Sequence, residues 1–401
     1  MNRDLLIDLA RRNLAHAKAG TVPLADDVYQ VSASRYQDPE MWESEITRIF
    51  KRVPLVFGFS SEVNKPGSYR ATDVVDVPVI IVRGNDGVLR SFVNMCSHRG
   101  SMVVEEGGGV TQRFTCPYHA WSYDNRGALV GIRDRDVFGE IDISCHGLTE
   151  LPCEERAGLI FGCLTPGMGL NLDQFLCGFG EVIENFNFAN CKIVGREQVE
   201  GPNWKIAYDG YLDYYHLPIL HRETFGPNWN NKAVYDSWGP HQRMSPPDER
   251  ALVLDDIPED EWQLEHLLTG VWTIFPNISI GTFDVGVPMY MVSQLFPGDT
   301  PETSITTQSF LISADSKVDE EREVIIEKQM EFLLRVVRDE DYYTGSRIQR
   351  AISTGAKEQI FFGRNEAGGQ NFHRWVDDFI ACEDETTYLK LLSNAEVIFQ
   401  T

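Results

Sequence analysis

The sequence predicts an α+β fold in two parts: a small antiparallel β domain over residues 46–165 and a larger α+β domain over 166–401. Three observations carry this. From about 53 to 165 the chain runs as short apolar stretches broken by Gly and Asn turns. After Pro166 helical and alternating segments mix. Late in that region "DEEREVIIEKQMEFLLRVVRDEDYY", 319–343, keeps Val324, Ile325, Met330, Leu333, Leu334 and Val337 near helical spacing.

The elements follow in chain order. Residues 1–45 are expected to form a helical segment packed on the larger domain, with Leu5, Leu6, Leu9 and Leu14 as a partial apolar stripe over 2–18. A short helix is expected at 39–52. "VPVIIVR" and "VLRSFVN" flank "GNDG" and read as a hairpin. "RFTCPYHAWSYDNRGALVGI" reads as a second strand pair broken at "DNRG", and "GLIFGCL" as one more strand. In the larger domain, 171–186 and 203–216 read as helices, while "MYMVSQLFPG" and "SITTQSFLIS" read as neighbouring strands. The acidic, proline-bearing stretch 245–265 reads as a solvated surface loop or lid.

With 401 residues, 42% apolar and 24% charged, the chain is long enough for two or three domains with sizeable cores. A formal charge of −24 argues against a nucleic-acid or anionic-membrane binder. The N-terminal stretch has no apolar core of signal-peptide length, and no segment is apolar enough to span a bilayer, so a cytoplasmic location is expected. In that reducing setting the eight cysteines read as thiols or metal ligands. Cys145, Cys153, Cys163, Cys177, Cys191 and Cys382 lack a histidine at chelating spacing in a tight turn and read as buried small hydrophobes.

Cys96 and Cys116 differ. "CSHRG" places Cys96 two residues before His98, and "CPYHAW" places Cys116 three before His119. Thiolate and imidazole both suit iron and zinc. Zinc fingers usually segregate cysteines and histidines into separate limbs, whereas one of each per limb suits an asymmetric two-iron cluster. Further on, "YDGYLDYYHLPILH" carries Asp209, Asp213 and His216 at i, i+4 and i+7, one helical face, with His221 five residues later. Pro218 would break the helix and return His221 to His216. Two histidines and a carboxylate make the facial triad of non-heme iron oxygenases.

These motifs resemble the α (large, catalytic) subunits of Rieske non-heme iron aromatic ring-hydroxylating oxygenases, over about residues 40–375. "CSHRG…CPYHAW…SYDNRGAL" resembles their Rieske domain, and "NWK" before Asp-x-x-His-x4-His resembles the start of their catalytic domain, of helix-grip type. The resemblance implies a [2Fe–2S] Rieske cluster on Cys96, His98, Cys116 and His119. It implies mononuclear Fe(II) on His216, His221 and Asp341, the last chosen over Asp339 because Gln349 follows eight residues on. Asp213 becomes the carboxylate that carries electron transfer between the two sites. Two departures stand out: Ala120 replaces a usual glycine and Asp209 a usual asparagine. Tyr118 and Trp121 are expected to shield the cluster, with ordinary core packing as their other role, and His373 to be structural. Tyr208, Tyr211, Tyr214, Tyr215 and Phe225 are candidates for the pocket, with core packing as their other role.

The expected activity is cis-dihydroxylation of an aromatic substrate with O2. The same apparatus serves monooxygenation or demethylation of methoxy-aromatics, quaternary amines or other non-aromatic compounds, and a chain without catalytic iron would be an electron carrier. No Gly-x-Gly-x-x-Gly fingerprint follows a strand, so NAD(P)H would act through a flavin reductase, directly or through a ferredoxin. The resemblance also implies a trimer, α3, or α3β3 with a small β subunit.

Overall fold

The computed structural model describes residues 3–400. Its contacts divide into two compact units: Phe50–Leu172, and Met1–Ile49 together with Asp173–Thr401. Among the described residues no helix is long and apolar enough to cross a membrane.

The smaller unit is built from three antiparallel sheets. Five strands run in the order Glu150–Leu151, Leu89–Val93, Val77–Arg83, Ser68–Val74, Gly107–Val110. Three more run Cys153–Arg156, Leu159–Gly162, Leu55–Phe59, and the last three run Arg113–Thr115, Ser122–Asp124, Leu129–Gly131. The expected hairpin across "GNDG" forms with Ile80 opposite Phe92. Gly127 turns the "DNRG" loop at a φ of +84°, and a Cβ there would meet the Phe92 ring at 2.5 Å. The core gathers Ile80, Val82, Phe92, Phe114, Trp121, Tyr123 and Leu129 around two further buried residues, Cys96 and Cys116.

The larger unit is organised on one eight-stranded antiparallel sheet. The order is Cys191–Gly201, Ser304–Ser313, Pro288–Pro297, Ile278–Asp284, Val271–Ile274, His241–Ser245, Val234–Trp238, Val397–Phe399. The two alternating segments pair as neighbours, with Met289 opposite Ile312. The long amphipathic helix runs Glu320–Val336, passes through a wide π turn at Val337–Tyr342, and continues as an α-helix at Tyr343–Ile352.

The N-terminal helix, Arg3–Ala19, buries Leu6, Leu9 and Leu14 within this unit. Arg12 pairs with buried Asp236 at 2.8 Å, and Asn13 Nδ2 donates to the Pro246 carbonyl at 2.8 Å. That last contact corrects the reading of 245–265. The stretch is a string of short helical turns, not a solvated loop, because Leu254 and Trp262 are buried and Trp262 Nε1 donates to the Leu254 and Ile257 carbonyls. Arg11–Glu259 and Lys18–Asp255 pairs fasten it to the first helix.

The "NWK" motif also has a structural role. Asn203 caps the helix Trp204–Asp209 by accepting from the Lys205 amide at 2.9 Å. Lys205 and Glu45 form an ion pair with both side chains fully buried, and Trp204 Nε1 donates to the same carboxylate at 2.7 Å. Removing one partner of such a pair strands a buried charge, a loss of about 3–5 kcal/mol. This contact ties the helix Pro39–Glu45 to the segment that leads into the histidines.

His241 sits fully buried between Phe175 and Phe179, with Nε2 bonded to the Phe175 carbonyl at 2.8 Å and Nδ1 accepting from the Phe275 amide. Burial lowers its pKa to about 4, whereas an unfolded histidine titrates near 6.5. As pH falls the unfolded chain therefore takes the proton first, so this contribution is whole above about 6.5 and is lost between about 6.5 and 4. His241→Gln can keep both hydrogen bonds without titrating. Urea unfolding at pH 7 and pH 4 is expected to show a smaller acid loss of stability in the variant, by about 3 kcal/mol.

Candidate metal centres

In the smaller unit the two Cys–His limbs have the same backbone plan. The Cys96 amide donates to the Ser101 carbonyl and the Gly100 amide to the Cys96 carbonyl; in the second limb Cys116 and Trp121, and Ala120 and Cys116, repeat the pair at 2.8–3.0 Å. Each limb turns through a left-handed residue four positions after its cysteine, Gly100 at φ +78° and Ala120 at φ +59°. Glycine takes that conformation freely; alanine does so at a cost of about 1 kcal/mol. Ala120 therefore occupies a position whose backbone suits glycine, and it displaces none of the four candidate ligand side chains.

Cys96 and Cys116 are each 2% exposed and share one core cluster, while His98 and His119 sit half-buried with ring centroids 4.7 Å apart. The limbs thus present sulfur inward and nitrogen outward. Trp121 stacks on His98 at 4.9 Å and Tyr118 lies on His119 at 3.7 Å, the first buried and the second exposed. His98 Nδ1 is buried without a hydrogen-bond partner, an orphaned lone pair or N–H of the kind a metal satisfies. Burial pushes the Cys96 thiol up, so a thiolate there requires a neighbouring positive charge. Tyr123 Oη lies 3.2 Å from Cys96 Sγ and accepts from the Ser97 amide at 2.9 Å.

Among the described residues, one group of three or more His, Cys, Asp or Glu brings its ligand atoms within 4.8 Å of one another, and it is His216, His221 and Asp341. The four limb residues do not close to that spacing. A single zinc would hold its ligands about that tightly, whereas a two-iron cluster spans a wider gap.

The larger unit positions that second group by a route the sequence reading had only in part. The helix from Trp204 ends at Asp209, so Asp209, Asp213 and His216 do not share one helical face. Asp209 instead accepts from Tyr36 and bonds His373 Nε2, each at 3.0 Å, which accounts for both residues as internal structure. Pro218 does not break a helix; it sits in the first turn of a four-residue helix, Leu217–Leu220, with His216 and His221 as its caps.

A carboxylate holds each imidazole by Nδ1. Asp213 Oδ1 lies 3.0 Å from His216 Nδ1 and accepts the His216 amide at 3.0 Å. Glu340 Oε2 lies 2.7 Å from His221 Nδ1, and Thr224 donates to the other Glu340 oxygen. The free Nε2 atoms then face one carboxylate: Asp341 Oδ1 is 3.1 Å from His221 Nε2 and 3.7 Å from His216 Nε2. Burial would lower both histidine pKa values, but the Asp213 bond and the Asp341 charge raise His216, and Asp341 with Glu340 raises His221. The pocket thus favours positive charge. Glu340 was not legible in the sequence. It reaches His221 because the π turn at Val337–Tyr342 sets consecutive residues 340 and 341 on opposite nitrogens of one ring. Asp339 pairs with Arg338 at the surface and takes no part.

A cavity of about 370 Å³ opens on this group and a smaller one of about 230 Å³ lies against it, both lined by Asp213, His216 and Asp341. Of the five aromatics expected near the pocket, Tyr211, Tyr214 and Phe225 line the larger cavity. Tyr208 packs on Phe372 and donates to the Ile278 carbonyl, and Tyr215 is exposed. The remaining cysteines are mixed: Cys163, Cys191 and Cys382 are buried, Cys153 and Cys177 half-buried, and Cys145 exposed beside Asp142, which corrects its reading as a buried hydrophobe.

A sulfur–nitrogen cradle in one unit and a two-histidine, one-carboxylate group in the other define an iron-dependent redox protein. The Rieske [2Fe–2S] domain model matches residues 54–142, and the ring hydroxylating alpha subunit (catalytic domain) model matches 188–382. The chain belongs to the Rieske oxygenase large-subunit family, an oxygenase family whose cofactors are a [2Fe–2S] cluster and a mononuclear iron. The glycine betaine monooxygenase oxygenase subunit of Chromohalobacter salexigens is 30% identical over 202 residues, 50% of this chain and 44% of that one. The carnitine monooxygenase oxygenase subunit of Acinetobacter baumannii is 26% identical over 328 residues, 80% of this chain and 84% of that one. The 2-aminobenzenesulfonate 2,3-dioxygenase subunit alpha of Alcaligenes sp is 33% identical over 203 residues, 47% of this chain and 50% of that one. In fold, a quaternary ammonium Rieske monooxygenase solved with L-carnitine superposes with a TM-score of 0.73 at 22% identity, covering 88% of this chain and 96% of the other.

Two substitutions probe the orienting bonds. Tyr123→Phe removes a donor to Cys96 sulfur and is expected to lower the cluster's midpoint potential by about 60 mV, the equivalent of one hydrogen bond of about 1.4 kcal/mol for one electron; redox titration of the visible spectrum measures it. Glu340→Gln is expected to weaken mononuclear iron binding by about 10–100-fold, read as faster iron loss to a chelator with the cluster spectrum unchanged.

Proposed function

We propose that this chain is the oxygenase component of a monooxygenase that oxidises a quaternary ammonium compound at a carbon next to nitrogen. The observation that carries this reading is the cavity at His216, His221 and Asp341. Aromatic rings from Tyr214, Phe225, Trp229, Phe283 and Tyr290 line it, and beside the two histidines it carries four carboxylates, Asp213, Glu265, Asp284 and Asp341, and one guanidinium, Arg250. Aromatic faces and carboxylates together favour a soft cation that cannot donate hydrogen bonds. The glycine betaine and carnitine relatives support the same substrate class. Aromatic-ring dihydroxylation is supported less well, since relatives matched over 80–84% of this chain are carnitine monooxygenase oxygenase subunits.

In this reading Cys96, Cys116, His98 and His119 hold the cluster, and His216, His221 and Asp341 hold the mononuclear iron. When bound, the cluster stores single electrons and the iron activates dioxygen. The chain's own residues arrange the rest. Asp213 and Glu340 keep a proton on each Nδ1, so that each Nε2 presents its lone pair. Both Asp213 bonds to His216 fall on Oδ1, and Asp213 also lines the smaller cavity, where its carboxylate can couple the two centres. The aromatic walls exclude water and hold the cation. One oxygen atom enters a C–H bond beside the nitrogen and the other leaves as water, with two electrons from NAD(P)H through a flavin reductase, directly or through a ferredoxin. The hydroxylated carbon then releases a tertiary amine and becomes an aldehyde. Three copies assemble as an α3 ring.

Purified chain with a reductase and NADH is expected to consume O2 with γ-butyrobetaine or glycine betaine and to release aldehyde and tertiary amine in equal amounts. A cis-dihydrodiol from an aromatic compound, with no reaction on either betaine, would return the assignment to ring dihydroxylation. Asp213→Asn is expected to cut turnover by at least about 100-fold while three irons per chain remain, as measured by product formation beside iron analysis.

A further inference from the structure

The cavity at His216, His221 and Asp341 contains one permanently cationic side chain, Arg250, and its placement says something about the far end of the substrate. Arg250 lies in the short helix Glu249–Leu252, within the stretch that the first helix fastens down. Its guanidinium is bound along one edge by Asp248, Nε to Oδ1 at 3.1 Å and Nη2 to Oδ2 at 2.6 Å. Its Cζ lies 5.1 Å from the Trp229 ring centroid. Trp229 stacks on Phe225 at 5.2 Å, and Phe225 meets His221 edge-on at 5.2 Å. A column of rings therefore joins a histidine of the metal-binding group to a fixed guanidinium at the solvent end, where the Arg250 side chain is 43% exposed.

Two facts separate this from an incidental surface charge. The bidentate bond and the ring contact fix a side chain that would otherwise be mobile, so little further ordering is needed when a ligand binds it. Outside the His216, His221 and Asp341 group, the guanidinium opposes the sign of the other charged side chains in the lining, Asp213, Glu265 and Asp284. It works against a plain cation at the outer end and favours an anion there. Glu265 and Asp284 share the lining, both exposed, and they leave Arg250 as the one place where an acid can settle.

We infer that Arg250 is a specificity-determining residue that binds a carboxylate at the end of the substrate remote from the metal group, so that the substrate is a zwitterion with the quaternary nitrogen inward and the acid outward. This rests on the quaternary-ammonium reading for its inner half; the outer half stands on Arg250 itself. A charge-assisted bond to a partly exposed guanidinium is expected to give about a tenfold preference.

The test compares γ-butyrobetaine with its primary amide, which keeps the quaternary nitrogen and loses the negative charge. Wild-type enzyme with reductase is expected to favour the acid by about tenfold in kcat/KM, mainly through KM. Arg250→Gln is expected to abolish that preference and Arg250→Lys to restore part of it. Loss of Arg250 can also loosen the Asp248 contact, but general weakening lowers both substrates together and leaves their ratio intact. Equal kcat/KM for acid and amide in the wild type, or an unchanged ratio in Arg250→Gln, overturns the inference. If neither quaternary compound reacts and aromatic acids do, the proposed function fails while Arg250 is still judged by the same ratio, aromatic acid against its amide.

Discussion

The pairing of a carboxylate with the back of each imidazole is the constraint on which the larger unit's chemistry depends. A histidine binds metal through one nitrogen, and the bond at the other nitrogen decides which tautomer is present and where the ring points. Asp213 does this for His216 and Glu340 for His221. Without those bonds two rings at the ends of a four-residue helix would be free to rotate, and their Nε2 atoms would not converge on Asp341. The same carboxylates add negative charge to a buried place, which raises the proton affinity of both rings. A divalent cation would relieve that charge without protonating either ring.

Other features of the fold serve this arrangement. Buried Glu45 holds Lys205 and Trp204, and so fixes the helix from which the chain runs to Asp213. Asp209, bonded to Tyr36 and His373, fixes the end of the same helix. The long helix carries Glu340 and Asp341 at the point where its turn widens. A π turn is less stable than an α turn and tends to persist where a function needs the altered register. Here it lets one histidine be oriented and opposed by consecutive residues.

Much of the smaller unit was legible in the sequence because its information is local. Each Cys–His limb is a single turn, and strands flanking "GNDG" and "DNRG" announce their own pairing. His216 and His221 were legible for the same reason. Asp341 was found only through resemblance, since nothing in an acidic run distinguishes position 341 from 339 until the helix is built. Glu340 stayed hidden because its role depends on one irregular turn, and Arg250 because it sits in a stretch whose acidity and prolines suggested solvent. That stretch was misread since composition does not reveal that Leu254 and Trp262 find a buried surface. The helix at 203–216 was drawn too long: Gly210 and the turn beyond it end what the aromatic spacing seemed to continue.

The most direct test of two separate centres in one chain is iron content and spin resonance, measured on the wild type and on His221→Ala. Three irons per wild-type chain, falling to two in the variant with the Rieske signal unchanged, is the predicted result. Two irons in both proteins, or loss of the Rieske signal in the variant, would contradict the assignment of His216, His221 and Asp341 to an iron of their own.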